Sequence, residues 1–298
     1  GGLQDNIMRT NPVLEAFGNA MTVRNNNSSR FGKWLQLTVP ASLTIEGCTV
    51  TDYLLELTRV CSPGEQERNY HIFFQLVEAR GRDELRHLNI AAPGEYVYLQ
   101  GCKHKAPGID DMSCFDELKD AFVSLGFSST LQDEVFRLVV GILTLGNIDF
   151  TEVEDDIAAV GDASVLDRVA GLIGIESDVL RQPLLERKIT VGKDVTIVER
   201  TASQAKSVRD GLARLLYGRL FKWLIAKINE QLSGNSSTGR FLGLLDIAGF
   251  ESFEKNSLEQ LFINLSNEQL QQHFNTYVFK MELEDYEAEG INTGNDIG

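Results

Sequence analysis

The chain has 298 residues, of which 43% are hydrophobic and 24% charged, and its formal net charge is −15. This composition is typical of a soluble protein with a sizeable core and two or more packing units. The acidity argues against nucleic-acid binding, although a small anionic ligand held by local dipoles is compatible with it. Neither a transmembrane segment nor a signal peptide is predicted, so we expect a cytoplasmic protein.

Cysteine spacing gives no sign of a disulfide scaffold or a zinc site. The chain has no C-x-x-C pair and no histidine run beside a cysteine. In so large a chain this pattern predicts reduced, mostly buried thiols. The four cysteines are Cys48, Cys61, Cys102 and Cys114.

The chain opens with a predicted helix and an unusual polar cluster. Residues 11–20, with Pro12 in the first turn and Gly18 at the end, predict a short helix. The cluster NNNSSRFGKW, residues 25–34, follows it closely. Its asparagines, serines, arginine and glycine would not build a hydrophobic core, so another role is expected.

Strand-forming and helical patterns alternate over the next segment. Residues 34–40 and 43–50 predict a pair of strands, and residues 51–60 predict a helix capped by Thr51 or Asp52. Apolar residues at three- and four-residue spacing predict further helices over residues 69–79, 114–127, 131–148, 163–175 and 202–232.

Four more elements are predicted in the remaining sequence. Residues 188–198 predict a hairpin or exposed loop that turns at Gly192, and residues 233–239 have the composition of a flexible connector. Residues 240–247 are a short apolar run, which predicts a buried strand, and residues 257–289 predict a long final helix. No internal repeat is found.

The predicted strand over residues 240–247 carries Asp246 near its carboxyl end, before a turn that contains glycine. If this strand is parallel and buried, its end would present a carboxylate and backbone N–H groups where α/β proteins bind phosphates. An aspartate there can hold magnesium, usually through water. A purely structural turn aspartate is the alternative.

The polar cluster has the chemistry of a magnesium and phosphate site. Serine hydroxyls are hard oxygen ligands suited to Mg²⁺, and asparagine amides can donate to phosphate oxygens. A loop of such residues can order around a γ-phosphate and relax after hydrolysis. A polar surface turn is the alternative.

Taken together, these motifs resemble the myosin motor domain. NNNSSRFGK is similar to its switch I, and DIAGFESFEKNSLEQLFINLSNEQLQQHFN to its switch II and the start of its relay helix. NPVLEAFGNAMTVRN, GILTLGNIDF and RDGLARLLYGRLFKWLIAKIN match further family blocks. The resemblance runs in order from about residue 3 to residue 291.

Kinesin motors share this two-switch chemistry and are the nearest alternative. Their first switch continues from serine and arginine to Ser-His, whereas Phe31, Gly32 and Lys33 stand here. Their second switch has serine after the glycine, whereas Phe250 stands here. Both positions favour myosin.

The resemblance implies a role for individual residues in binding Mg²⁺ and ATP. Ser29 would supply its hydroxyl to Mg²⁺, with Asp246 behind it. Ser28 and Asn25 would face the phosphates, and the backbone N–H of Gly249 would contact the γ-phosphate.

Arg30 and Glu251 would form a salt bridge between the two switches and help to hold the lytic water. A partly desolvated arginine–carboxylate pair has the strong directional preference that such a bridge needs. Without the family match, Arg30 would be taken for a solvated side chain. His71 is interpreted as a core residue, since the chemistry of the family needs no histidine.

The resemblance also implies a fold: an α/β protein with P-loop NTPase-like core strands and a predominantly helical upper lobe. Residues 1–40 would hold a helix, switch I and a core strand, and residues 41–239 the upper actin-binding lobe. Residues 240–256 would form a core strand and switch II, and residues 257–298 the relay helix and a tail.

The phosphate-binding loop of this class, G-x-x-x-x-G-K-[ST], is absent from the sequence. The near match GNSSTGRF, residues 234–241, has arginine for the lysine and phenylalanine for the metal-binding hydroxyl, and we interpret it as a connector. In the family the loop lies N-terminal to the segment seen here. We therefore expect an incomplete fragment of a larger motor domain that is inactive alone.

The predicted hairpin is similar to the family's actin-contacting loop, with Lys188, Lys193 and Asp194 as candidate contacts. Asp194 stands 16 residues before Asp210, at the family's acidic-or-phosphorylatable position, which implies actin activation without a phosphorylation switch. A solvated hairpin is the alternative.

The implied partners are the actin filament and the rest of the motor with its lever arm and light chains, in the actin cytoskeleton. The implied function is motion coupled to Mg-ATP hydrolysis. A non-catalytic actin-binding or scaffold relative is the alternative, although a scaffold has no physical need for the intact switch residues.

Overall fold

The computed structural model describes residues 2–40, 44–153, 156–192, 194–234, 240–254 and 256–291. The chain divides into two compact units, Gly1–Asp246 and Ile247–Gly298. The first unit is predominantly helical with small antiparallel sheets, and the second is helical. In these described ranges, no helix has the length and apolar character needed to cross a membrane.

The helices of the first unit confirm most of the predicted ones. An additional helix, α6, contains Pro183 and was not predicted. The helices are α1 (Leu3–Gly18), α2 (His71–Glu78), α3 (Asp111–Ser124), α4 (Ser129–Leu145), α5 (Ala163–Ile173), α6 (Ser177–Leu185) and α7 (Ala202–Leu232).

The strands pair antiparallel throughout the described sheets. One sheet has the order β4-β3-β9, and the pairs β1-β2, β5-β6 and β7-β8 stand by themselves. The strands are β1 (Asn19–Ala20), β2 (Ser28–Ser29), β3 (Gly32–Val39), β4 (Gly47–Tyr53), β5 (Phe150–Glu152), β6 (Ala158–Val160), β7 (Glu186–Val191), β8 (Asp194–Glu199) and β9 (Arg240–Asp246).

Helix α7 lies in the core of the first unit. Tyr217 on this helix is fully buried, stacks on Tyr70 with ring centroids 4.9 Å apart, and donates its hydroxyl to the carbonyl of Phe17 at 2.7 Å. Asn229 bonds both backbone groups of Val50 at 2.8 Å each. Its amide therefore satisfies the outer edge of β4 as a neighbouring strand would.

Two predicted helix boundaries are wrong. Helix α1 begins at Leu3, eight residues before the predicted start, and carries Pro12 in its interior. The predicted helix over residues 51–60 does not form: Thr51 belongs to β4, paired with Trp34, and only a short 3₁₀ turn, Leu57–Val60, follows. Cross-strand pairing of β-branched residues outweighs the helical spacing there.

The strand predicted over residues 240–247 forms as β9, but it is neither parallel nor buried. It pairs antiparallel with β3 at the edge of its sheet, and Phe241 and Leu244 are 60% and 47% exposed. An apolar run predicts burial only when other layers cover both faces, and an edge strand is covered less. Gly243 leaves space for the Trp34 ring, which a Cβ there would meet at 1.9 Å.

The second unit consists of a loop within the segment that resembles switch II, for which we keep that name, and a long helix. The predicted helix over residues 257–289 is confirmed as α8 (Leu258–Asn275), a π-helical turn (Thr276–Lys280) and α9 (Met281–Ala288). Ser257 and Gln260 form a capping box at its start. Most of its apolar residues are exposed; they include Leu261 at 61%, Leu265 at 49% and Phe274 at 52%.

Some predicted features lie outside the described residues. They are Lys193, most of the connector (235–239) and the C-terminal tail beyond residue 291.

Candidate functional site

The segment that resembles switch I, residues 25–33, begins in the loop of a short hairpin, and we keep the name switch I for it. β1 and β2 pair Asn19 with Ser29 and Ala20 with Ser28. The loop between them turns on Thr22, whose N–H donates to the carbonyl of Asn25 at 2.8 Å and whose hydroxyl accepts from the Asn25 N–H at 3.2 Å. The polar cluster is thus a defined turn with paired ends.

The three asparagines of the loop hold one another and the protein around them. The Asn25 Oδ1 accepts from the backbone N–H of Asn27 at 2.9 Å, and the Asn26 amide donates to the carbonyl of Pro107 at 2.9 Å. Asn25 is nevertheless exposed. These bonds fix the side chains of Asn25 and Asn26 within the turn.

Ser28 and Ser29 point their hydroxyls to different partners. The Ser29 hydroxyl donates to the carbonyl of Phe31 at 2.8 Å, and the Ser28 oxygen accepts from Nη1 of Arg30 at 3.2 Å. Because Ser29 donates its hydrogen to a carbonyl, its oxygen lone pairs are the part suited to a cation.

Arg30 is buried in a chain of alternating charges. Its Nε lies 2.7 Å from Oε2 of Glu56, which also accepts from Nε of Arg59 at 2.8 Å. Arg59 reaches on to Glu67 at 2.8 Å, and Glu67 accepts from the backbone N–H of Val23 at 3.3 Å. This row of charges therefore connects the loop of the hairpin, at Val23, with Arg30, which follows its second strand.

Electrostatics within this network stabilises the charged form of Arg59. Burial alone would lower the pKa of Arg59, but the carboxylates of Glu56 and Glu67 outweigh it and raise the pKa above its ordinary value. Breaking one partner in such a buried network leaves an uncompensated charge, which is costly.

Asp246 lies at the end of β9, beside the start of β3. The register pairs Lys33 with Asp246, and their side chains form a salt bridge of 3.6 Å. Residues 25–33 run directly into β3, and switch II follows β9. The sheet therefore brings the bases of two segments more than 200 residues apart in sequence to the same end.

The switch II residues beyond Asp246 are held by the first turns of α8. Asn264 accepts from the backbone N–H of Glu251 and donates to its carbonyl, at 2.7 Å each. Gln260 donates to the Glu251 carboxylate at 3.1 Å, and Asn267 donates to the carbonyl of Ala248 at 2.9 Å. Three side chains of the helix thus fasten this loop to it.

Gly249 stands in open space within this loop. A Cβ there would meet no described atom within 4 Å, and its φ is not in the left-handed region. Neither crowding nor backbone conformation within the described structure explains a glycine here.

The predicted hairpin is confirmed as β7 and β8, with Lys188 opposite Ile197 and Val191 opposite Asp194. Lys188 and Asp194 are exposed, and the apolar Val195 and Ile197 are 61% and 55% exposed. The hairpin is available to a partner, and a solvated hairpin would have the same geometry.

Sequence reasoning missed two residues that touch switch I. Glu56 lay inside a predicted helix, 26 residues from Arg30, and no local pattern signals their pairing. His71 was assigned to the core, which its 3% exposure confirms, yet its Nε2 lies 3.1 Å from Oδ1 of Asn27. The need of a buried polar ring for a partner was the available signal.

Comparison with known proteins finds a myosin family model and myosin sequences. The family model described as myosin head (motor domain) matches residues 1–295. Myosin-1 of Arabidopsis thaliana is 42% identical over 295 residues, which is 98% of this chain and 25% of that protein. Unconventional myosin-Vc of Homo sapiens is 40% identical over 97% of this chain and 17% of its own length.

A third relative is the non-muscle myosin-2 heavy chain of Acanthamoeba castellanii. It is 40% identical over 294 residues, which is 98% of this chain and 20% of that protein. The chain therefore spans about a quarter or less of the curated relatives described here.

Proposed function

The chain belongs to the myosin motor-domain family, and on this premise we propose that it carries the two nucleotide switches, the upper actin-binding lobe and the relay helix of an actin-based motor. The observation that carries the proposal is the pairing of Lys33 with Asp246, since it places the bases of both switch segments side by side. In this proposal the sheet belongs to a P-loop NTPase-like core, and the phosphate cradle comes from another segment of the motor.

Residues of both switches bind the nucleotide. Asn25 and Ser28 face the phosphates of ATP, and Gly249 offers its backbone N–H to the γ-phosphate. The exposed Asn25 amide and the open space at Gly249 support these roles. Because γ-phosphate is released after hydrolysis, these contacts make the two loops sensors of the nucleotide state.

Ser29 would supply its hydroxyl to the magnesium ion, with Asp246 behind it, holding the ion through water. A hydroxyl and a carboxylate are the hard oxygen donors that Mg²⁺ prefers, so the residues fit the ion. When bound, Mg²⁺ neutralises charge on the phosphate oxygens. Lys33, 3.6 Å from Asp246, restrains the carboxylate until the ion is present.

Arg30 pairs with Glu251 when the switches close, which orients the attacking water. The fixed orientation of the Arg30 guanidinium supports this role. Its Nε lies 2.7 Å from Glu56, and Ser28 accepts from its Nη1 at 3.2 Å. A fixed orientation lowers the entropic cost of forming a directional arginine–carboxylate pair.

The relay helix transmits the state of switch II. Asn264 grips both backbone groups of Glu251, so a shift of the loop pulls the amino end of the helix. A helix of about 30 residues is roughly 45 Å long, so a small tilt at one end moves the other by several ångströms. The π-helical turn Thr276–Lys280 is a point where the helix can bend.

The β7-β8 hairpin contacts the actin filament through Lys188, Lys193 and Asp194, in a cytoskeletal protein that also binds light chains through its lever arm. The exposure of Lys188 and Asp194 supports this role. A carboxylate at position 194 makes the contact independent of phosphorylation.

Steady-state hydrolysis of Mg-ATP by the motor that contains this chain, with and without actin filaments, tests the proposal. We expect turnover that actin raises and that Ser29→Ala lowers at least tenfold. Ser124→Ala is the matched control, because Ser124 also donates to a backbone carbonyl but lies on α3. A motor that binds actin without turning over ATP would support the non-catalytic alternative.

A further inference from the structure

His71 is a buried side chain that makes direct contact with the switch I hairpin. It opens helix α2, is 3% exposed, and places Nε2 3.1 Å from Oδ1 of Asn27. The two residues are 44 positions apart in sequence, so the contact belongs to the tertiary fold.

The partners of Asn27 determine which atom carries the proton in this contact. Its Nδ2 lies 3.0 Å from Oε2 of Glu15, and an ionised carboxylate can only accept. The amide oxygen must therefore face Asn19, which donates to it at 3.0 Å, and His71. It follows that Nε2 of His71 carries the hydrogen and donates it.

The imidazole stays neutral in this position. Burial, followed by the charges of Arg68 and Arg59, lowers the pKa of His71 to about 3. A neutral ring with hydrogen on Nε2 leaves only a lone pair on Nδ1, which is the buried ring nitrogen without a partner among the described residues. The N–H at Nε2 therefore has a hydrogen-bond acceptor, and only the Nδ1 lone pair is buried without a donor.

Asn27 also contacts Asn25, the residue expected to face the phosphates. Its backbone N–H donates to Oδ1 of Asn25 at 2.9 Å. An amide whose oxygen is engaged in this way directs its NH₂ group to the opposite side, where it can donate to a phosphate oxygen. Two hydrogen bonds therefore connect His71 to the nucleotide-facing amide.

We propose that His71 is a positioning residue for switch I: it orients the Asn27 amide, and Asn27 in turn orients Asn25 toward the phosphates of ATP. The proposal rests on the proposed nucleotide role of switch I. Removing the Nε2 donor loosens the loop before ATP binds, and because the lost contact serves ground-state binding, the effect falls on KM.

The test is the KM for Mg-ATP in the whole motor with His71→Phe, His71→Gln and His71→Asn. A glutamine nitrogen reaches about as far from Cα as Nε2, whereas an asparagine nitrogen reaches only as far as Nδ1. One lost hydrogen bond predicts about a fivefold rise in KM for His71→Phe and His71→Asn, with kcat within about twofold and recovery in His71→Gln. His87→Phe, at an exposed histidine, is the control and leaves KM unchanged.

A double-variant cycle with Asn27→Ala separates this role from general packing. We expect His71→Phe to add nothing to the KM of Asn27→Ala, because both remove the same connection. Equal KM values for His71→Gln and His71→Asn, a wild-type KM in His71→Phe, or additive effects in the cycle would overturn the assignment. Absence of turnover in the unmodified motor would instead overturn the proposed function, and the assignment with it.

Discussion

Arg30 and Glu56 form a buried ion pair, with Nε and Oε2 2.7 Å apart and the side chains 1% and 14% exposed. The arginine expected to bridge the two switches thus has a carboxylate partner within the first unit. Glu56 shares its charge with Arg59, so the pair is part of a longer network. The network sets the orientation of the guanidinium independently of the nucleotide.

Replacement of Glu56 by glutamine tests this network. Glu56→Gln keeps the shape of the side chain but removes the charge that two buried arginines share, so we expect a loss of about 2 kcal/mol in stability. The motor should unfold a few degrees lower on heating, and its kcat for ATP should fall about tenfold as Arg30 loses its orientation. Calorimetry and steady-state hydrolysis measure the two effects.

Asp83→Asn is the matched control for this variant. Asp83 pairs with Arg86 at 2.8 Å, but the two side chains are 84% and 73% exposed, and such surface pairs contribute little. If Glu56→Gln changed stability and kcat no more than Asp83→Asn, the network would have no role.

Replacement of Asn264 tests the connection between switch II and the relay helix. Asn264→Ala removes two hydrogen bonds of 2.7 Å to the backbone of Glu251, which together contribute about 2 kcal/mol. We expect hydrolysis to slow about thirtyfold, which corresponds to about 2 kcal/mol in the barrier, and the melting temperature of the motor to fall by a few degrees. Stopped-flow measurement of the hydrolysis step gives the rate.

Asn275→Ala serves as the control here, because Asn275 accepts a side-chain bond from Gln271 on the same helix without touching switch II. Equal hydrolysis rates in the two variants would contradict the coupling.

Acid sensitivity follows from the neutral His71. Its pKa is about 3 in the folded protein and 6.5 ordinarily, so between these values the unfolded chain binds a proton that the folded chain does not. Stability must therefore fall as the pH drops below 6.5, by up to about 1.4 kcal/mol per pH unit. Arg68 and Arg59, whose charges also oppose protonation, stay charged throughout this range.

Comparison of the wild-type motor with His71→Gln measures this contribution. The melting temperature of the wild type should fall more steeply between pH 6.5 and 4.5 than that of His71→Gln, which has no proton to gain. Parallel pH profiles for the two proteins would contradict the buried, neutral state of His71.

The sequence predicted the positions of helices and strands better than their pairing and burial. Periodicity placed α7 at residues 202–232 as observed, because a long amphipathic stripe and a capping residue specify a helix locally. The predicted helix over residues 51–60 failed since β4 takes its first residues through pairing with β3. The prediction that β9 is buried failed for a similar reason. Burial of a strand depends on other elements that cover its faces, and the sequence of the strand does not specify them.

The residues of the candidate site fall into the same two groups: some were predicted from the sequence, and others were found only in the structure. Family motifs pointed to Ser29, Arg30 and Asp246, and the β3-β9 register brings Asp246 to the end of the sheet where switch I runs into β3. Glu56 and His71 were out of reach because each meets its partner only after the chain has folded, 26 and 44 residues away. Residue types suited to phosphate chemistry are visible in a sequence, whereas the side chains that orient them are not.

The most direct test of the two-switch account is the actin-activated hydrolysis rate of the whole motor with the charges of Arg30 and Glu251 exchanged. Arg30→Glu should abolish hydrolysis and spare nucleotide binding, and adding Glu251→Arg should restore part of the rate. Recovery stays partial because a glutamate at position 30 also faces Glu56, 2.7 Å from the present guanidinium. Full activity in the Arg30→Glu single variant would contradict the account.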